Sequence, residues 1–368
     1  MLNLEIKTKE LQKVLRLVET ALPNKASIAV VNGLLFNVSK DSVSIIATDL
    51  ENTVKAKTKC VANEECDFVV NGKKLISLVN KFNSDTISFT YDKNSLEVQV
   101  KSGKSAYKFL TYVCEEFPVF PERDKEAVSL SFNSEELNKA LNSVSFCVDS
   151  EEPRPHFRGI LFDVSKGKTN LVSTDTKQLA VNTGIVSSGA SAKFLLPLRT
   201  AGIFSKVLEP GNAEILVSKN NIFVKQEGLV LVSQLLSGAE DFPDYHKVMP
   251  AEKDLTMAEI PAAELKVVFE RLCIFTTERY QKIVLNFSNN KLELFHTNPE
   301  SGEAKEEMEV KYSGEDKMIA LNPSINAYIS KVSGKTILCG IKNEKSPLLL
   351  KGMGKNHQYI VMPLKLEV

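Results

Sequence analysis

The stretch ATDLE, residues 47–51, closes the alternating run SVSIIA (42–47), and its reading decides the fold. Alternation of apolar and polar residues marks a half-buried strand, and Thr and Asp favour turns by hydrogen-bonding nearby backbone. The phrase returns as STDTK at 173–177 and, more loosely, as HTNPE at 296–300, at steps of 126 and 123 residues. A catalytic reading would make Asp49 and Asp175 acid–base carboxylates. The third copy has Asn298, which can form the turn but cannot do that chemistry, so the turn reading is favoured.

The surrounding sequence repeats with the same order. Leu11, Val14, Leu15 and Val18 form the i, i+3, i+4, i+7 stripe of an amphipathic helix. Leu137, Ala140, Leu141 and Val144 repeat it, as do Leu265, Val268, Phe269 and Leu272. Ser134 and Pro261 offer helix starts, by capping and by a preset φ. A strand pair follows each helix: GLLFNVSKDSVSIIA (33–47), GILFDVSKGKTNLVS (159–173) and IVLNFSNNKLELFH (283–296). Each copy then runs through the turn to a strand and second helix: DFVVNGKKLISLVNKF, KFLLPLRTAGIFSKVL and MIALNPSINAYISKVS. The first two copies close on EEFP (115–118) and EDFP (240–243). The chain therefore reads as three α+β domains, at 1–123, 124–252 and 253–368, each with two helices on antiparallel sheet.

Composition is that of a globular protein: 368 residues, 43% hydrophobic, 25% charged, with 46 basic and 46 acidic residues. Zero net charge announces no polyanion partner in bulk, so such a partner must be argued from charge placement. Twelve basic and seven acidic residues fall on the six predicted helices, a mild excess of positive charge there. A solvated helix face explains most such excesses. The charged N-terminus and the lack of a long apolar run give no signal peptide and no membrane span, and the expectation is a cytoplasmic protein. Cys60, Cys66, Cys114, Cys147, Cys273 and Cys339 are scattered, as reduced thiols would be. His156, His246, His296 and His357 show no metal-ligand spacing. SGKS (102–105) and KGMGK (351–355) lack the context of phosphate loops. The sequence thus suggests a protein that is not an enzyme and needs no cofactor or metal.

Along its whole length the chain resembles the bacterial sliding clamps, the beta subunits of DNA polymerase III. The resemblance rests on NGLLF with ATDLE, RPHFRGILF (154–162), STDTKQLAV (173–181), EDFPDYHKV (240–248), LNP (321–323) and YIVMPLKL (359–366), in that order. It implies a homodimeric, head-to-tail ring of six domains around duplex DNA, acting as a processivity factor. Twelve helices packed roughly 10 Å apart would line a hole close to ~28 Å across, wide enough for a duplex. It implies a seam that uses Lys74, Tyr107 and Phe109 against Ile274 and Phe275 of a second copy, with Glu303, Glu306 and Glu307 as counter-charges. DNA-facing positions would be Lys25, Lys73, Arg154 and Arg199, although Asp149, Glu151 and Glu152 crowd the loop at Arg154.

The resemblance further implies a partner-peptide pocket. From the central domain it would use Phe157, Thr174, Thr176, Lys177, Gln178, Leu179, Pro243, Lys247 and Val248. From the last it would use Asn322, Pro347, Val361, Met362, Pro363, Leu364, Lys365 and Leu366. Its implied partners are the DNA polymerase III alpha subunit, the clamp loader complex, and other clamp-binding polymerases and repair proteins. Lys177, Gln178 and Lys247 depart from the family's planar donors, and Glu367 and Val368 extend past its usual last leucine. Two rival readings are a nucleic-acid processing enzyme using Asp49 and Asp175, and an interaction scaffold that does not encircle DNA.

Overall fold

The computed structural model describes residues 1–26, 28–121 and 127–366. The expected boundary at 123/124 and the Glu367–Val368 extension lie outside the described residues. The three expected repeats are present, but the chain divides into two compact units: residues 1–135, 188–190 and 199–235, and residues 136–187, 191–198 and 236–368. The central repeat contributes to both.

In the first unit the opening strand, Leu2–Lys7, buries Leu2, Leu4 and Ile6 and exposes the residues between them, as the period of a pleated strand requires. It begins an antiparallel run through Thr86–Asp92, Glu97–Ser102, Ser105–Tyr112, Cys66–Asn71, Gly33–Val38, Ser42–Thr48 and Asn52–Lys59. There the ladder does not stop. Asn52–Lys59 pairs with Leu229–Gln234 of the central repeat, Val54 opposite Leu231, and continues through Asn221–Gln226 and Asn212–Val217 to Val128–Asn133. Helices α1 (Thr8–Glu19) and α2 (Gly72–Val79) cover the first repeat's core with Leu11, Val14, Leu15, Val18, Leu75 and Ile76. Asn71 caps α2 by accepting the Lys74 N–H.

Helix α3 (Ser134–Val144) begins at Ser134 itself, whose N–H donates to the Gly211 carbonyl. Helix α4 (Leu198–Val207) buries Ala201, Ile203, Phe204 and Val207.

The second unit repeats the joining device. Gln178–Gly189 pairs with the last strand, His357–Val361, with Ala180 opposite Tyr359. This makes one sheet from Thr256–Pro261 through to Ala192–Pro197. A separate four-stranded sheet runs Gly302–Glu309, Lys291–Asn298, Ile283–Ser288, Lys317–Leu321. Helix α5 (Ala262–Cys273) starts after Pro261, as expected. Helix α6 (Asn326–Ile329) corrects the sequence reading: it is a single turn after a 3-10 turn at Pro323–Ile325, capped by Asn322. Lys81, Glu209 and Lys331, counted above as helical, lie beyond the helix ends, leaving ten basic and six acidic residues on the described helices.

The Thr/Asx turns are structural in all three copies. Asp49 Oδ1 accepts the Glu51 and Asn52 N–H groups, Asp175 Oδ1 those of Lys177 and Gln178, and Asn298 Oδ1 that of Glu300. Leu50 (φ 79°) and Thr176 (φ 76°) hold the same left-handed conformation at equivalent places.

In the second unit His357 is fully buried, stacked at 14° on Tyr328, with Nε2 2.9 Å from the Ser143 carbonyl. Burial lowers its pKa to about 4, against a smaller upward pull from Ser143. The folded state therefore holds a neutral ring. Its contribution is complete above the unfolded pKa of about 6.5 and is lost as pH falls toward 4, to a total of about 3 kcal/mol. Urea unfolding at pH 7.5 and 4.5 should show a larger acid-induced loss in the parent than in His357→Gln; equal losses would refute the assignment.

Candidate functional site

A cavity of about 200 Å³ opens in the second unit beside the Asp175 turn. Its floor is Leu179 and Ile360, which face each other across the ladder between Gln178–Gly189 and the last strand. Residues opposite one another in a ladder share a face, while their neighbours point away. Val361, which the sequence reading chose, is buried opposite Gln178 one step along the same ladder and does not line the cavity, whereas Ile360, which that reading lacked, does. Phe157, Phe242, Pro243, Tyr245 and Val248 form further wall, and Thr174, Thr176, Lys177, Gln178 and Met362 complete it. The apolar floor is continuous with a core of Leu161, Val172, Leu195, Phe242 and Leu349. Phe242 and Tyr245 were also missed; the motif EDFPDYHKV held both.

The polar atoms of this wall are mostly engaged. Gln178 Nε2 donates to Asp175 Oδ2 at 2.7 Å, and its Oε1 accepts from the Tyr359 hydroxyl at 2.5 Å. Thr174 Oγ1 donates to the Gln178 carbonyl and accepts from the Thr176 N–H. The Tyr245 hydroxyl donates to Asp163 and accepts from Asn170. Burial first, and Asp163 after it, push Tyr245 up to about 12, so it stays a neutral donor.

The tail is tied by its backbone: Met362 N–H donates to the Lys177 carbonyl at 2.9 Å, and Leu364 N–H to Ala320 at 2.8 Å. Asn322, Pro347, Pro363, Leu364, Lys365 and Leu366 are not part of the cavity wall. Asn322 is spent as a cap and on Gln281. Lys247, also outside the wall, sits 3.4 Å from Asp244.

Of the DNA-facing residues expected, Lys25 is exposed and Lys73 donates to the Asn24 carbonyl. Arg154 pairs with Glu152 at 2.6 Å and lies over the Phe157 ring. Arg199 has an intrachain partner that sequence reasoning missed. Its guanidinium meets Asp49 Oδ2 at 2.7 Å, while Thr200 bonds Asn52, so α4 is pinned to the first repeat's turn. Of the seam residues, Lys74 is exposed, Phe109 and Phe275 are half-buried, Tyr107 is 41% exposed and Ile274 78% exposed. The Phe275 carbonyl is held by Asn298 Nδ2 and Ser301 Oγ and lies 3.0 Å from His296 Nε2, which fixes the loop after α5. Among the described residues no group of three His, Cys, Asp or Glu could hold a metal, and no helix is long and apolar enough to cross a membrane.

Three family models cover the chain: the N-terminal, central and C-terminal domains of the DNA polymerase III beta subunit match residues 2–121, 131–244 and 246–365. The chain belongs to this family. It is 26% identical over 362 residues to the beta sliding clamp of Chlamydia pneumoniae, covering 97% of each chain. It is 25% identical to that of Haemophilus influenzae, covering 99% of this chain and 100% of the other. The fold matches the sliding clamp of Pseudomonas aeruginosa solved with ligand, at TM-score 0.91, 24% identity and full coverage of both chains. It also matches a clamp of Bartonella birtlesii bound to griselimycin, at TM-score 0.92, 21% identity and full coverage of both.

The Gln178 side chain links the Asp175 turn to the last strand. Gln178→Ala leaves the Tyr359 hydroxyl and one Asp175 oxygen without this partner, at a cost of about 1–3 kcal/mol. Urea unfolding should show that loss, and unchanged stability would remove the link from the account.

Proposed function

We propose that this chain is a sliding clamp: two copies close head to tail around duplex DNA, and the cavity at Leu179 takes peptide segments of proteins that work on that DNA. Family membership supports the clamp reading. The observation that carries the ring is the use of strand edges. Twice within the chain, the strand after a Thr/Asx turn pairs with the last strand of the next repeat, Asn52–Lys59 with Leu229–Gln234 and Gln178–Gly189 with His357–Val361. One edge of each kind is left over among the described residues: Gly302–Glu309, at the rim of its sheet, and the Ser105–Leu110 part of Ser105–Tyr112.

The internal joints also supply a register. Val54 faces Leu231, and Ala180 faces Tyr359. The hairpins place Ala304 and Tyr107 at the corresponding points of the free edges. A second copy added on this register sets Gly302 against Phe109, and Glu303 against Lys108. Glu306 and Glu307 are already paired, with Arg271 and Lys291, while Glu303 has no ion pair among the described residues; Lys108 bonds Glu97 in its own chain at 2.7 Å, so Glu303 would share that ammonium. Such a contact is heterologous and must close to avoid a filament.

Asp49 and Asp175 are consumed by turns, which favours a role without catalysis. The partners follow from the reading: the polymerase alpha subunit, the clamp loader, and other polymerases and repair proteins, in the cytoplasm. The mild helix charge suits a protein that holds DNA by linkage, since strong phosphate contact would slow sliding.

Loaded onto nicked circular DNA by a clamp loader with ATP, the protein should survive a wash at ~1 M salt, where the screening length is about 3 Å. It should leave once the circle is cut; retention on free ends would defeat the ring.

At the seam, replacing Ile274 and Phe275 together by Asp should give a folded monomer in sedimentation, because unpaired charge would be buried. Glu303→Lys should weaken the dimer and Lys108→Glu should restore it. A dimer untouched by the first pair of changes excludes this seam, and a charge swap without rescue excludes this register.

Ending the chain at Val361 removes Met362 from the cavity wall and the Leu364 tie. The truncated protein should fold by circular dichroism yet bind polymerase-derived peptide at least about tenfold more weakly, from lost apolar contact. Equal affinity would overturn the pocket.

A further inference from the structure

The three repeats place equivalent residues beside the start of their first helices, and there the copies differ. Those helices begin at Thr8, Ser134 and Ala262, whose N–H groups donate to the carbonyls of Asp85, Gly211 and Lys335. The ladder pairs Ser88–Lys101, Glu214–Lys225 and Leu338–Lys351 make Ser102, Gln226 and Gly352 equivalent, one residue further along.

In the second repeat Gln226 fills the space beside the helix start. Its Nε2 lies 3.5 Å from Ser134 Oγ and donates to the Glu209 carbonyl at 2.7 Å, and its Oε1 accepts the Glu209 N–H at 2.8 Å. The third repeat has no hydroxyl at Ala262, and a Cβ added at Gly352 would meet Val332, Ile337 and Tyr328 at 3.0–3.2 Å. The first repeat keeps the hydroxyl and lacks the amide. Thr8 is 4% exposed, and its Oγ1 has no hydrogen-bond partner. Ser102 is short, and its hydroxyl bonds Ser84 Oγ at 2.6 Å. Asn83, in the place of Glu209, has neither its N–H nor its carbonyl bonded to another described residue.

Thr8 and Asn83 line one cavity of about 770 Å³ in the first unit. Gln12 is also in its wall, with Nε2 spent on the Val79 and Phe82 carbonyls. The charged lining is mixed: Lys7, Lys9 and Arg16 against Glu10 and Asp85.

We infer that this cavity binds a small zwitterion that carries a primary carboxamide, the class of free glutamine and asparagine. The ligand's carboxamide takes the place that Gln226 fills in the second repeat. Its nitrogen donates to the Asn83 carbonyl, and its oxygen accepts the Asn83 N–H. The second amide hydrogen is left for Thr8 Oγ1, which rotation about one side-chain torsion turns toward the cavity. A lining with both signs of charge suits a ligand with both an α-carboxylate and an α-ammonium. A carboxylate in place of the amide has no donor for the Asn83 carbonyl, a loss of roughly tenfold for one hydrogen bond.

Saturation-transfer NMR on the full chain, with L-glutamine and L-glutamate as probes, tests this. Glutamine should bind, and glutamate roughly tenfold more weakly. N-acetylglutamine N-methylamide, which lacks both α-charges, should bind weaker than glutamine by roughly threefold or more. Ser102→Gln supplies the amide from within, as Gln226 does, and should abolish glutamine binding without loss of stability in urea. Thr8→Val should weaken binding and keep the fold by circular dichroism. No glutamine signal in the parent, equal binding of glutamate, or undiminished binding in either folded variant would overturn the inference. Equal binding of the capped form would overturn the assignment to a free amino acid.

Discussion

An antiparallel edge with unpaired N–H and C=O groups attracts another strand, and this chain is organised around satisfying its edges. Each repeat has two: the strand after the Thr/Asx turn and the last strand of the copy. Within the chain, one kind of edge is joined to the other, at Val54–Leu231 and at Ala180–Tyr359. The rest of the structure follows from those ladders. The boundary between compact units does not coincide with the boundary between repeats, because each ladder joins strands of two different repeats into one sheet. The cavity exists because one such ladder sets Leu179 against Ile360 and brings the tail across the Asp175 turn.

The three turns show how one local solution has been put to three uses. All keep the backbone hydrogen bonds that an Asx side chain supplies. The free atoms then diverge. Asp49 uses its second oxygen on Arg199, Asp175 on the Gln178 amide, and Asn298 uses its amide nitrogen on the Phe275 carbonyl. A position can thus be structurally the same in three copies while its side chain secures a helix, a cavity wall or an exposed loop.

Much of this was legible in the sequence, for a physical reason: helix stripes and strand alternation are local periodicities, and a triplication displays each of them three times. The stripe at Leu11, Val14, Leu15 and Val18 is buried as its spacing required. Helix α6 was not legible as a single turn, because Asn322-Pro323 starts a tight 3-10 turn in what reads as a longer apolar pattern. At the cavity, Leu179, Phe157 and Met362 could be named from the resemblance, while Ile360 could not be separated from Val361 without the ladder register. The Arg199–Asp49 pair joins residues far apart in sequence and leaves no periodic trace.

The two edges of a repeat are unlike, and this gives the joint a grammar. A turn-side edge accepts only a last-strand edge in the internal joints. Two turn-side edges would have to meet like with like, and the same holds for two last strands. An assembly built by this rule has a sense of direction, as a chain of hooks and eyes does. In the ring proposed above, every repeat would point the same way around it. A protein seated on one face would know which way the threaded polymer runs only relative to that face, so orientation would be set when the assembly is first closed and kept for as long as it stays closed.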